Sequence, residues 1–301
     1  MILNDTSEKL RKLISARTET FAVPGVFSPA IALLAKKLRF KCMYFSGAAF
    51  SNLLGLPDLG VTTLTEVADA VRKITSIVND VPLIVDIDTG FGEAVNLSRA
   101  ILEMELAGAA AVQIEDQVMP KRCGHLSGKE VIRPSEMVKK IIAAKQARKS
   151  RLVIIARTDA TQVEGLQAAI KRANLYLEAG ADMIFPDALE TKSDFVKFAR
   201  NVKAPLIANM TEFGKTPYLT VAQFASMGYK CVLFPVTAFR SAMKASEEAL
   251  QEIKRAGSQR RFLKRLMTRD EFYRLSGYYS FAKSDKEISL RADKLTLKNK
   301  D

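Results

Sequence analysis

Residues 107–116 read Ala-Gly-Ala-Ala-Ala-Val-Gln-Ile-Glu-Asp. A helical pattern stops at Gly108, the residue type best suited to a left-handed helix C-cap, and a short run, Ala111–Asp116, follows and closes on two acids. The same succession appears at Ala179-Gly180-Ala181 before Met183–Asp187, and at Met227-Gly228-Tyr229 before Cys231–Val236. Working outward, five more strand-like runs emerge: Phe21–Val26, Cys42–Phe45, Leu83–Asp88, Leu152–Arg157 and Leu206–Met210. Most are continuously apolar rather than alternating, as parallel strands covered on both faces require. Amphipathic stretches such as 64–78, 94–107, 135–147 and 165–179 separate them. Eight strand–helix units in 301 residues predict a single α/β domain, a (β/α)₈ barrel. A doubly wound open sheet is disfavoured, because no Gly-x-Gly-x-x-Gly follows the first run.

The whole chain, 1–301, is expected to belong to this one barrel, with 241–283 as a helical extension. Ser241–Ala256, Arg260–Met267 and Arg269–Phe281 read as three helices, more than one barrel needs. Residues 285–301 are charged, lack a clear apolar face and are expected to be loosely ordered. Hydrophobic residues at 48% and charged residues at 26% describe an ordinary globular protein. No apolar run approaches the roughly 20 residues that span a bilayer. The first residues carry Asp5, Glu8, Lys9 and Arg11 and no apolar signal segment, so a cytoplasmic location is expected. Three cysteines without a Cys-x-x-Cys point to neither a disulfide scaffold nor a zinc site. Lys and Arg exceed Asp and Glu to give a net charge of +13, concentrated at 139–151 and 254–269. Neither stretch interleaves aromatics for stacking bases, so solvated helix faces explain them better than a nucleic-acid surface.

The runs end in polar residues: Ser46-Gly47, Asp86 and Asp88, Glu115 and Asp116, Arg157 and Asp159, Asp187, Asn209 and Thr211, with Arg240 beyond the last. Barrel active sites lie at that rim. Asp86 and Asp88, at i and i+2 of one strand, are expected to share a face and to need a cation between them. Mg²⁺ suits oxygen ligands that are partly water, and Mn²⁺ is expected to substitute; Asp58 and Glu115 are outer candidates. Lys121-Arg122-Cys123-Gly124-His125 sets a cysteine among cations beside the only histidine, surroundings that favour a reactive thiol. A Cys–His acyl-transfer nucleophile is the competing reading, but no oxyanion-hole signature accompanies it.

These residues, with Val85–Gly92, Ile155–Ala160, Asn209–Gly214 and Ala238-Phe239-Arg240, resemble the isocitrate lyase / phosphoenolpyruvate mutase superfamily over about residues 8 to 283. The Lys-Arg-Cys-Gly-His run resembles its lyase branch, and most closely the methylisocitrate lyases. The resemblance implies Mg²⁺-dependent cleavage of 2-methylisocitrate to pyruvate and succinate, a step of propionate breakdown. Isocitrate, 2,3-dimethylmalate and oxaloacetate are the sister substrates. It implies Cys123 as catalytic acid, Tyr44 as base, Lys121 and His125 as further catalytic residues, and Asp86 and Asp88 at the metal with Asp58 in its water shell. Ser46, Gly47, Ala48, Gly124, Arg157, Asp187, Asn209, Thr211, Arg240 and Arg269 match substrate contacts. Two positions depart from the family pattern: Asp187 stands where glutamate is usual, and Ala48 where glycine is. The resemblance also implies a homotetramer of dimers that exchange C-terminal helices. Loop 117–130, with its glycines and cations, is expected to act as a lid.

Overall fold

The computed structural model describes residues 5–16, 19–124 and 128–298. His125 therefore lies outside the described residues. Eight parallel strands carry the fold: β1 (Phe21–Val26), β2 (Met43–Phe45), β3 (Leu83–Asp86), β4 (Ala111–Glu115), β5 (Val153–Thr158), β6 (Met183–Pro186), β7 (Ile207–Asn209) and β8 (Cys231–Phe234). Each pairs with its sequence neighbour, except β6 with β7, and β8 returns to β1. The remaining seam is spanned by a parallel bridge between Ile184 and Leu206, so the barrel is nearly closed, as the repeated runs predict.

The pleat decides which side chains enter the barrel. Tyr44, Ile84, Ala111, Val153, Ile155, Met183, Phe185, Ile207 and Leu233 form one interior cluster. Their strand neighbours Met43, Phe45, Val85, Val112, Ile154, Ile184, Ala208 and Val232 belong to the second cluster, shared with the surrounding helices. Following the inward positions toward the C-terminal ends, aliphatics give way to Asp86, Gln113, Glu115 and Arg157, with Asp187 just past β6, and Asn209. Apolar filling thus stops one layer below the mouth, and the last layer is polar and, apart from half-buried Arg157, buried.

Helix Asp5–Ser15 belongs to the opposite end. Leu10 and Ile14 join the interior cluster. Arg11 bonds the Arg151 and Leu152 carbonyls and both Asp182 oxygens, which lie just before β5 and β6. The glycines expected to stop helices, Gly108, Gly180 and Gly228, all take positive φ.

The chain divides into two compact units, Met1–Ala242 and Met243–Asp301. The second unit corrects the expectation for the last of the three helices. In place of one helix over 269–281, helices Arg269–Ser276 and Tyr278–Lys298 meet at Gly277, which has φ 76°. Among the described residues no helix is long and apolar enough to cross a membrane.

Candidate active site

A cavity of about 390 Å³ opens at the C-terminal ends of the strands. Tyr44, Asp86, Cys123, Asp187, Asn209 and Arg240 line it, together with Ala48, Asp58, Lys121, Gly124, Arg157 and Thr211. Residues drawn from seven sequence segments therefore converge, as the polar strand ends predict.

The floor is acidic. Carboxylate oxygens of Asp86, Asp88 and Glu115 lie within 4.8 Å of one another, and all three residues are buried. Asp86 and Glu115 arrive by the pleat of adjacent strands. Asp88 does not, which corrects the shared-face expectation: β3 ends at Asp86, and Asp88 is turned back by a left-handed backbone, φ 47°. Burial and the charge of Asp88 push Asp86 up to about 6, and burial holds Glu115 well above the usual carboxylate range. Neither Glu115 oxygen accepts a hydrogen bond from the described residues; Arg157 Nη1, at 3.3 Å, faces it as a charge. Three buried carboxylates with unfilled acceptor capacity are the donor set that a hard divalent cation takes.

Around this triad the expected residues hold other posts. Lys121 sets its ammonium 2.8 Å from Asp88 Oδ1 and also pairs with Asp58. Asp58 thus stands outside the triad, engaged by Lys121. Ser46 caps helix Gly47–Leu53 through Ala49 N–H, and Gly47 N–H donates to Asp86 Oδ2 at 3.3 Å, so this loop also supports the triad. Tyr44 donates its hydroxyl to Gln113 Oε1 at 2.6 Å. Burial and the nearby charge of Asp86 push the phenol far above its ordinary range. Tyr44 lines the cavity beside the charge of Asp86, where the resemblance implies it acts as base.

Arg157 is the hub of the far wall. It bonds Asp159 through Nε and Nη2 at 2.9 and 3.0 Å, and Asp187 through Nη2 at 2.8 Å. Asn209 Nδ2 donates to the other Asp187 oxygen at 2.9 Å. Asp187 is thereby clamped, and much of Arg157's donor capacity is spent on the protein. Arg240 is less committed: Nη1 bonds the Glu212 carbonyl and carboxylate, while its guanidinium lies over Phe213. Arg269 belongs to the second unit, where it opens helix Arg269–Ser276 and is exposed.

The loop bearing Cys123 is tied at its base by the antiparallel bridge between Gln117 and Val131. Gln117 and Arg122 exchange two hydrogen bonds of 2.9 Å. Lys129 bonds the Gly124 carbonyl and Asp159. Gly124 packs so close to the clamp that a Cβ there would fall 1.5 Å from Asp187 Oδ2. Only glycine fits, which gives the Cys-Gly pair its physical reason. Cys123 is half-buried at the cavity wall.

Sequence does not single out Gln113, and it marks Lys129 only as a cation of the lid loop. Lys129 reads as one more loop cation, and Gln113 is a polar residue inside a run. Its alternation with Glu115 was the signal that it faces inward.

The phosphoenolpyruvate phosphomutase family profile matches residues 10–254. The chain belongs to this family. Within it, the 2-methylisocitrate lyase of Aeropyrum pernix is 57% identical over 286 residues, covering 95% of this chain and 92% of its own length. Among solved structures, a 2,3-dimethylmalate lyase superposes with a TM-score of 0.89 at 32% identity, covering 96% of each chain. A phosphonopyruvate hydrolase in complex with oxalate and Mg²⁺ gives 0.85 at 31% identity, covering 93% of this chain and 98% of its own.

Proposed function

We propose that this member of the phosphoenolpyruvate phosphomutase family is a Mg²⁺-dependent carbon–carbon lyase that cleaves 2-methylisocitrate to pyruvate and succinate. The observation that carries the reading is the buried Asp86–Asp88–Glu115 triad, whose Asp86 lines the same cavity as the Cys123 thiol. The Mg²⁺ reported with the phosphonopyruvate hydrolase supports the choice of ion. When bound, the ion supplies Lewis-acid polarisation of the hydroxy acid's oxygens.

The chain's own residues supply the rest. Arg240 keeps guanidinium donors for a substrate carboxylate, and Asn209 and Thr211 border the same space. Tyr44 hydrogen-bonds within the floor. Tyr44, as the phenolate, takes the hydroxyl proton, the C–O(H) carbon becomes the carbonyl of pyruvate, and the adjacent C–C bond breaks. The bond's electron pair passes into the succinate fragment as an enediolate. Cys123, as a thiol, delivers the proton that quenches it. Nearby guanidinium charge stabilises the developing anion.

The same cavity has an apolar share, Phe185, Leu233, Pro235, Val236 and Phe239, which favours a methyl-bearing substrate over isocitrate. One methyl in such a pocket is worth about 1–3 kcal/mol. A kcat/KM panel over 2-methylisocitrate, isocitrate, 2,3-dimethylmalate and oxaloacetate is therefore expected to place 2-methylisocitrate about 10–200-fold above isocitrate. Equal or better turnover of any other member assigns the sister activity instead.

The second unit exposes large apolar side chains, among them Met243, Leu250, Phe272, Tyr279, Phe281 and Ile288. Exposed apolar surface on that scale supports burial against further copies of the chain. The expected assembly is a homotetramer of dimers that exchange C-terminal helices. Sedimentation at micromolar concentration is expected to give four times the 33.3 kDa chain mass, and a monomer contradicts the assignment. A cytoplasmic site of action accompanies this reading.

A further inference from the structure

Lys140 is a buried cation that the chemistry above does not use. It lies on helix Pro134–Ala147, between the buried apolar residues Met137, Ile141 and Ala144, and is only 6% exposed. Among the described residues it forms no ion pair within 4 Å; its Nζ donates to the Thr89 carbonyl at 2.9 Å. Glu93 and Glu136 supply the nearby negative charge, but the one hydrogen bond goes to a neutral carbonyl, so burying the ammonium there is costly and calls for a return elsewhere.

Thr89 sits in the turn that aims Asp88. φ is positive at Asp88 (47°), Gly90 (92°), Phe91 (58°) and Gly92 (135°). For aspartate, and more so for phenylalanine, that region is disfavoured and persists only when surroundings hold it. On the backbone, the turn's other restraints are Gly90 N–H to the Ile87 carbonyl at 2.8 Å, Glu115 N–H to the Asp88 carbonyl at 2.9 Å, and Asp88 N–H to Asp86 Oδ1 at 3.2 Å. The Lys121 ammonium holds the Asp88 carboxylate at 2.8 Å, and Lys140 is the long-range side chain that holds the turn's backbone, reaching in from a helix outside the barrel.

We propose that Lys140 is a positioning residue of the cation site, holding the Thr89 carbonyl and with it the turn that brings Asp88 to Asp86 and Glu115. The inference rests on reading those three carboxylates as the cation site. Lys140 touches none of them, so it acts on cation affinity through backbone geometry, as groups outside a coordination shell commonly do.

The test is a Mn²⁺ titration of the metal-free protein followed by electron paramagnetic resonance, with no turnover required. Wild type is expected to bind stoichiometrically, and Lys140→Met about 10–100-fold more weakly. Lys145→Met, exposed on the same helix, is expected to match wild type. Thermal unfolding is recorded alongside; if Lys140→Met does not fold, Lys140→Gln, too short to reach the carbonyl in the same way, is expected to lose affinity likewise. A variant that melts earlier yet binds Mn²⁺ as tightly as wild type overturns the positioning role. Failure of wild type to bind overturns the cation site itself.

Discussion

Cys123→Ser is expected to lose about 10²–10⁴-fold in kcat, the usual cost of removing a general acid, with KM nearly unchanged. Serine fills almost the same space but its hydroxyl is a far weaker acid, so the enediolate waits for a proton. Because that defect falls on the protonation half of the reaction, the solvent isotope effect on kcat is expected to change with the substitution. The other two cysteines provide the contrast. Cys42 and Cys231 are buried at the inner ends of β2 and β8, and burial alone pushes the Cys42 thiol up to about 12. Their serine variants are expected to lower Tm and leave kcat per folded molecule intact. Near-wild-type turnover by Cys123→Ser would sink the proposed lyase chemistry, since the thiol would then have no step to perform.

Exhaustive chelation is expected to abolish turnover, with Mg²⁺ restoring it and Mn²⁺ restoring part, because both accept octahedral oxygen sets. Asp88→Ala is expected to lose more than the ~10–100-fold that changes outside a coordination shell cost, while keeping native circular dichroism. Asp58→Ala separates the two acidic roles. Asp58 pairs with Lys121 and stands outside the triad, so its loss is expected to be smaller than that of Asp88. Full activity after chelation contradicts the cation dependence, and equal losses at Asp58 and Asp88 contradict the distinction drawn between them.

The barrel and the identity of its rim were legible in the sequence by itself. Apolar runs such as Leu83–Val85 and Val153–Ala156 state that their residues are buried on both faces, and that is a local property of hydrophobicity and chain period. Each run's change from aliphatic to charged at its C-terminal end, as at Asp86, Glu115 and Arg157, marks the open mouth for the same reason. The family resemblance added roles to those positions. What a residue pairs with is not local, and only the closed barrel decided it. Arg157, read as a substrate ligand, is largely consumed by Asp159 and Asp187, which lie just past its own strand and just past the next one. Lys121, read as a neighbour of the thiol, faces Asp58 and Asp88. Tyr44 spends its proton on Gln113, 69 residues away. Asp88 reaches the triad through a left-handed turn, held in part by Lys140 from a helix begun more than forty residues later. Sequence pattern determines which groups are sealed from water. Once they are sealed, burial makes every unpaired charge expensive, so the three-dimensional arrangement selects the partners.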